Sequence, residues 1–326
     1  MCDLSSKHTR ELILKKTKLD YVIEFPKTAP TPEGQVFESV CQGTCIYLFR
    51  KTNPDDLPFV ISVNNDCTTL DKLNIEYIKQ SSLLSFYPED YAIPLLKNGE
   101  FNIIQQIKAN SNGLSEFVND VAQGDLNLTT AKNEIKDYDT GVKLLRGRHI
   151  SSYKIDYNVD EYINRNYRSQ AVRKNKEKEF ILCQEVTGTV DPRRIHCCVS
   201  NTNESFICGH TINKLDIKNP NDILVIMGLL NSKVMDWVFR KTSSNNHVGG
   251  YELKQLPIII PKKKDYFINK VENILEKKKN NIDTSHEEEM LDVLIFRLYN
   301  LKYEWAKYIN DGMPISKEEY DNLDIC

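Results

Sequence analysis

The sequence predicts an α+β chain in three parts: an N-terminal hairpin belonging to a larger α/β sheet, a mixed β-rich domain with one long packed helix, and a C-terminal helical hairpin. From Leu114 onward short apolar runs alternate with Gly, Asn and Asp, which is the spacing of strands. An apolar stripe of helical period follows Asn219 and Pro220, and two more such stripes close the chain. With 326 residues, 40% hydrophobic and 27% charged, the chain is long enough for two domains of typical size. That composition excludes collagen, low-complexity disorder and a coiled-coil rod.

Taken in order, residues 10–18 read as the end of a helix, with Leu12 and Leu14 among basic residues. LDYVIEF (19–25) is a strand, and PKTAPTPEG (26–34) is a loop punctuated by three prolines. TCIYLF (44–49) is nearly continuous apolar sequence, as expected of a strand buried on both faces. A helix tail and two or three strands, with nothing to cover them, resemble the end of a larger α/β domain, so residues 1–58 are expected to be its C-terminal remnant. KTNPDDLP (51–58) is a turn, and 59–114 is expected to connect, with a helical pattern at 100–108.

Residues 115–262 form the expected central domain. VKLLRGRHI, KEFILCQEVTG, RRIHCCVS and ESFICGHTI carry its strands. Asn219 caps and Pro220 opens a helix that is expected to run unbroken to about Lys241, with Ile223, Met227, Leu230, Val234 and Val238 on one face. Residues 263–326 pair one helix, striped by Phe267, Val271, Ile274 and Leu275 and ending in Lys277 to Lys279, with a second that opens on Ser285 and Glu288 at capping-box spacing.

The longest apolar stretch, 223–230, is far short of the roughly 18 residues that a bilayer span demands. With no secretory h-region in MCDLSSKHTR, the expected location is cytoplasmic, with no membrane partner. Nine cysteines without a repeating framework read as reduced thiols. Cys197, Cys198, Cys208 and His210 suggest zinc, but adjacent cysteines in a strand point to opposite faces and no C-x-x-C occurs, so no metal is expected. The net charge of −3 is unevenly spread: −2 over 1–114, +3 over 115–262 and −4 over 263–326.

No Walker A loop, G-x-G-x-x-G, G-x-S-x-G or H-E-x-x-H is present, so no catalytic residue is assigned. Three polar clusters stand out instead. Arg146, Arg148 and His149 flank Gly147, which permits close backbone approach; Arg193 and Arg194 follow Asp-Pro in a turn; Ser243, Ser244, Asn245, Asn246, His247 and Tyr251 form a loop of donors and acceptors, with Lys254 shortly after. Arginine offers bidentate donors to guanine or phosphate and Asn pairs with adenine, while the bland reading of each cluster is a surface turn.

These residues resemble a known family. VFESVCQGTCIYLFRK (36–51) resembles the post-catalytic hairpin of gamma-class amino-methyltransferases acting on adenine N6 in DNA, the enzymes of restriction and modification systems. VAQGDLNLTT, LLRGRHI, LLNSKVMDWVFR and YELKQLPIIIP resemble the target-recognition domain that follows it, and EEEMLDVLIFRLYNLKYEWAKYI resembles the closing helices of type IIG proteins. The resemblance implies a partial methyltransferase sheet hairpin, duplex DNA as partner, and Phe37 as the aromatic that stacks on a flipped adenine, against its alternative as a loop residue plugging a small core.

The family's Gly-containing motif for S-adenosylmethionine and its Asn-Pro-Pro-Tyr motif do not occur. The expected polypeptide is therefore a recognition portion, inactive alone, whose cofactor and catalytic residues lie in a methyltransferase portion in cis or on a separate subunit. Two rivals remain. One is a protein-interaction or specificity subunit whose hairpin completes the sheet of a separately encoded catalytic chain. The other is an independent enzyme with thiol or histidine chemistry, which no motif anchors.

Overall fold

A computed structural model describes residues 4–25, 43–64, 73–188, 191–243 and 246–323. Phe37, Ser244 and Asn245 lie outside the described residues. The architecture is mixed α+β, with several small sheets and helices at the C-terminus. Cα packing divides the chain into two compact units. The first is Met1–Ala109, Thr189–Pro192 and Val238–Asn246; the second is Asn110–Gly188, Arg193–Trp237 and His247–Cys326.

In the first unit, α1 (Lys7–Lys16) leads into β1 (Lys18–Phe25), and β2 (Thr44–Arg50), β3 (Phe59–Val63) and β4 (Ile75–Ile78) complete a sheet of order β2-β1-β3-β4. The segment expected to connect thus supplies two strands of this sheet. It also supplies α2 (Gln80–Phe86) and α3 (Glu100–Ala109). β1 runs antiparallel to β2 and parallel to β3. Helix α1 turns Arg10, Ile13 and Leu14 inward, as i, i+3 and i+4 positions must. Arg10 is 0% exposed and donates to the carbonyls of Asp90 and Tyr91. Buried Gln80 accepts from Leu19 N–H and donates to the Leu14 and Thr17 carbonyls, locking the end of α1 to the start of β1.

One face of the sheet, with Val22, Phe59, Ile61 and Val63, is buried. The registers put Tyr21, Ile46, Leu48, Ile75 and Tyr77 together on the other. There Leu48 is 53% and Tyr77 61% exposed. The expectation that β2 is buried on both faces is corrected: every residue of it is half-buried or exposed, it is the edge strand among the described residues, and apolar content alone does not report position in a sheet.

The second unit is built on two four-stranded sheets. One has the order β13-β12-β15-β6, formed by β13 (Cys197–Val199), β12 (Ile181–Gln184), β15 (Ile212–Ile217) and β6 (Val118–Gln123). The other has the order β14-β8-β11-β7, formed by β14 (Phe206–Cys208), β8 (Lys143–Leu145), β11 (Tyr162–Ile163) and β7 (Ile135–Lys136). Two short pairs, β9 (Ile150–Ser151) with β10 (Lys154–Ile155) and β5 (Asn112–Gly113) with β16 (Pro257–Ile258), complete the strands. Each of the four apolar runs holds a strand, and inward residues of three of them, Leu145, Leu182, Phe206 and Cys208, share one core cluster. Helix α4 (Ser169–Glu177) contributes Ala171 and Val172 to a second.

The helix expected to run unbroken to Lys241 is two helices, α5 (Ile223–Leu230) and α6 (Lys233–Thr242), after a 3-10 turn at Pro220–Asp222. Asn219 caps that turn through its side chain, as expected. The break has a chemical cause. Asn231 turns its amide onto β13, accepting from Cys197 N–H and donating to Cys197 O and Met227 O, while Ser232 donates to Leu229 O. Asn and Ser compete with the backbone for these groups and end helices.

α5 meets α8 (Lys264–Lys279) at Gly228, where a Cβ would lie 2.9 Å from both Phe267 Cε1 and Val271 Cγ2. α8 and α9 (Ser285–Leu298) pair through Lys278–Glu288 at 2.8 Å and Lys277–Glu287 at 2.5 Å. The capping box expected at Ser285 and Glu288 does not form: Thr284 is the cap residue, its hydroxyl donating to Glu288, and Ser285 instead bonds Asp283. After α10 (Tyr303–Ile309), a true capping box opens α11 (Lys317–Asp321) at Ser316 and Glu319.

Candidate nucleic-acid interface

β8 delivers the chain into a tight turn, residues 146–149, that is seated against the second unit's central sheet. Gly147 donates from N–H to Thr211 Oγ1 at 2.9 Å, and a Cβ on it would lie 2.8 Å from Thr211 O. Only glycine allows that approach. Arg146 is held to Glu161 through Nε and, at 2.5 Å, through Nη2. Arg148 reaches Asp160 at 2.7 Å and stays about half exposed. His149 is buried, and its Nδ1 accepts from Arg146 N–H at 3.1 Å. Burial, with Arg148 beside it, holds the His149 imidazole below its usual value, so it stays neutral as that bond requires.

The end of β12 adjoins this turn. Gln184 Cγ lies 3.3 Å from where a Gly147 Cβ would stand, and its amide donates to Val186 O at 2.8 Å. Glu185 N–H donates to Thr211 O, Glu185 O accepts from Val248 N–H, and the Glu185 carboxylate meets His247 Nδ1 at 3.0 Å. His247 also bridges Val186 by backbone pairing. The turn at 146–149, the strand end at 184–187 and His247 are therefore brought together around Thr211. Arg194 joins them from beneath: at 1% exposure, its Nε donates to Thr187 Oγ1 at 2.8 Å and its Nη2 to His247 O at 3.2 Å.

The structure turns Arg193 and Arg194 inward. Arg194 is buried, and its own N–H is fixed by Asp236 at 2.5 Å, so it supports the His247 strand instead of facing outward. Arg193 sends Nη1 into the interior, where among the described residues the atom has no hydrogen-bond partner. Its charge acts on Asp292, whose carboxyl burial pushes up to about 6. The physical reason is shared: Asp236 and Asp292, from helices far along the chain, draw Arg194 and Arg193 inward. Ser243 is buried and Asn246 exposed, both in the first unit. Tyr251 and Lys254 sit on α7 (Gly250–Lys254), Lys254 at 3.5 Å from Asp120.

Sequence reasoning passed over Gln184, Glu185, Thr187 and Thr211, whose signal was only that each follows an apolar run directly. It also passed over a buried polar trio of Lys214, Asp125 and Asn175. Lys214 Nζ donates to Asp125 Oδ1 and Asn175 Oδ1, both at 2.6 Å, while Asp125 Oδ2 accepts from Cys208 N–H and Asn175 Nδ2. This network ties α4 to both sheets.

Residues 142–258, just over a third of the chain, match the family of the TaqI-like C-terminal specificity domain. The match covers LLRGRHI, LLNSKVMDWVFR and most of YELKQLPIIIP, in agreement with the resemblance carried by those residues. No curated protein matches. Among solved structures, the type IIL restriction-modification enzyme MmeI in complex with DNA is similar at 11% identity over 94% of this chain and 46% of its own, with a TM-score of 0.47. The type IIG restriction endonuclease BpuSI is similar at 9% identity over 91% of this chain and 46% of its own, with a TM-score of 0.36. The chain spans less than half the length of either. Among the described residues no helix is long and apolar enough to cross a membrane.

Proposed function

We propose, taking the TaqI-like specificity domain at residues 142–258 as premise, that this chain recognises target sequence in duplex DNA for a methyltransferase-type restriction-modification enzyme. The observation that carries the reading is the convergence of the 146–149 turn, the 184–187 strand end and His247 around Thr211, inside the matched segment. Arg148 and His247 are the accessible polar side chains there, and we assign them to base edges or phosphates. Arg146, His149, Arg193 and Arg194 we assign to shaping the surface. Asn246, Tyr251 and Lys254 remain assigned to DNA contact, and Phe37 to the flipped adenine.

S-adenosylmethionine is the cofactor of such an enzyme as a whole. Its Gly-containing motif and Asn-Pro-Pro-Tyr are not in this sequence, so no residue here is assigned to it and no methyl-transfer step is derived. A catalytic methyltransferase portion, in cis or as a separate subunit, is the partner this reading requires. The exposed Leu48 and Tyr77 face of the first unit's sheet favours a second reading, a specificity subunit docking on a separately encoded catalytic chain.

The test is enrichment from a random-sequence duplex pool on immobilised chain. A single motif is expected to emerge over successive rounds. Retention of duplexes with no sequence preference would refute target recognition.

A further inference from the structure

Residues 163–178 carry six Lys and Arg against one acidic residue, Glu177, so the excess of the central segment is concentrated on α4 and the turn before it. Two of these cations are neutralised, Arg173 by Glu177 and Lys178 by Asp216. Arg165, Arg168, Lys174 and Lys176 are exposed and make no ion pair among the described residues. Arg165 and Lys176 line one groove of about 340 Å³ with the loop at 140–142, Ser169, Val172 and Ser205. No carboxylate lines it. Of the acids nearest in sequence, Glu177 pairs with Arg173 and Glu204 with Lys143 at 2.6 Å, while Asp139 accepts from the N–H of Gly141 in the lining at 2.7 Å.

The helix that presents these cations is fixed in place. Ala171 and Val172 pack into the core, and buried Asn175 donates to Phe206 O and Asp125 and accepts from Lys214. Lysine and arginine side chains held on a rigid helix without counter-charges leave a standing positive potential, and the groove adds the Ser169 and Ser205 hydroxyls as neutral donors. A diester phosphate carries one negative charge and acceptor oxygens only, which matches that lining.

We propose that Arg165 and Lys176 clamp a backbone phosphate of duplex DNA in this groove, holding register without reading sequence. The proposal rests on the DNA reading above and adds a contact outside the Thr211 surface. Its ligand is the phosphodiester backbone, so the contact is independent of base identity.

The test uses the full chain and anisotropy of a labelled random-sequence duplex, titrated at several salt concentrations, for wild type, R165A/K176A and R165K/K176R. Losing the neutralisation of one phosphate flattens the plot of log affinity against log salt by about 0.9, so the alanine pair, which empties a single clamp, should flatten it by about 0.9. Between about 50 and about 200 mM salt, the alanine pair would then lose about 3.5-fold less affinity than wild type. The charge-conserving pair should keep the wild-type slope, and all three should melt alike. If wild type enriches a motif but the alanine pair keeps its affinity and slope, the clamp is wrong and target recognition stands. If wild type binds no duplex, both fall. A slope change confined to single strands or RNA also overturns the clamp.

Discussion

Replacing Gly147 by alanine tests the geometry on which the candidate surface depends. The added Cβ would stand 2.8 Å from Thr211 O and 3.3 Å from Gln184 Cγ. Ordinary contact begins near 3.4 Å, so the turn or the Thr211 backbone must yield by roughly half an ångström, an overpacking that costs about 1 to 3 kcal/mol. Neither side is free to do so. Gly147 N–H is bonded to Thr211 Oγ1 at 2.9 Å, and Thr211 O accepts from Glu185 N–H at 2.9 Å. Stretching one of these bonds adds about 1 kcal/mol, for a total of about 2 to 4 kcal/mol. For a unit of this size that is a fall in Tm of roughly 5 to 15 °C, readable by circular dichroism. G147A melting within about 2 °C of wild type would mean that the turn is not wedged against Thr211.

Three further outcomes are expected. K214M strips Asp125 of its buried counter-charge and should cost about 3 to 5 kcal/mol in urea denaturation; a loss under about 1 kcal/mol would show that the trio is hydrated. Asp292, with its carboxyl raised to about 6, binds a proton in the folded state between pH 4 and 6 that the unfolded chain has released. Its contribution to stability therefore falls as pH rises through that window, and D292N should remove this part of the slope; an unchanged profile would count against it. R148A should cost about 1 to 3 kcal/mol and relax one base position if Arg148 reads a base, or weaken all sequences alike if it meets a phosphate, as competition binding will separate; unchanged binding would remove Arg148 from the interface.

Local signals were legible and distant ones were not. The apolar runs around Leu145, Leu182, Cys198 and Ile207 became strands because each needs only its own alternation and bounding turns. Gly147 was legible as a place of close approach, although its neighbour is Thr211 O and no ligand was needed to explain it. Asn231 and Ser232 broke the expected helix, a competition visible in LLNSKV but outweighed there by the apolar stripe. Arg193 and Arg194 look like surface residues after Asp-Pro, and only Asp236 and Asp292, 42 and 99 residues on, make them interior. TCIYLF gave composition without position: whether a strand has two neighbours or one depends on pairing that no local pattern encodes. The α4 cations escaped because a charge balance over 148 residues dilutes a cluster of six.

The exposed apolar side chains of the N-terminal sheet also govern how the molecule behaves as a colloid. Ile46 and Leu48 stand on a strand whose outer peptide groups, among the described residues, have no strand beside them, a template for adding strands from other molecules. Repulsion between copies is the main brake on such growth, and a net charge of −3 with an isoelectric point near 6.1 supplies little of it. Solubility should therefore pass through a minimum close to pH 6, and dye-detected β-rich aggregate should appear there first. A charged substitution at the exposed Leu48 would raise that solubility without touching residues 142–258.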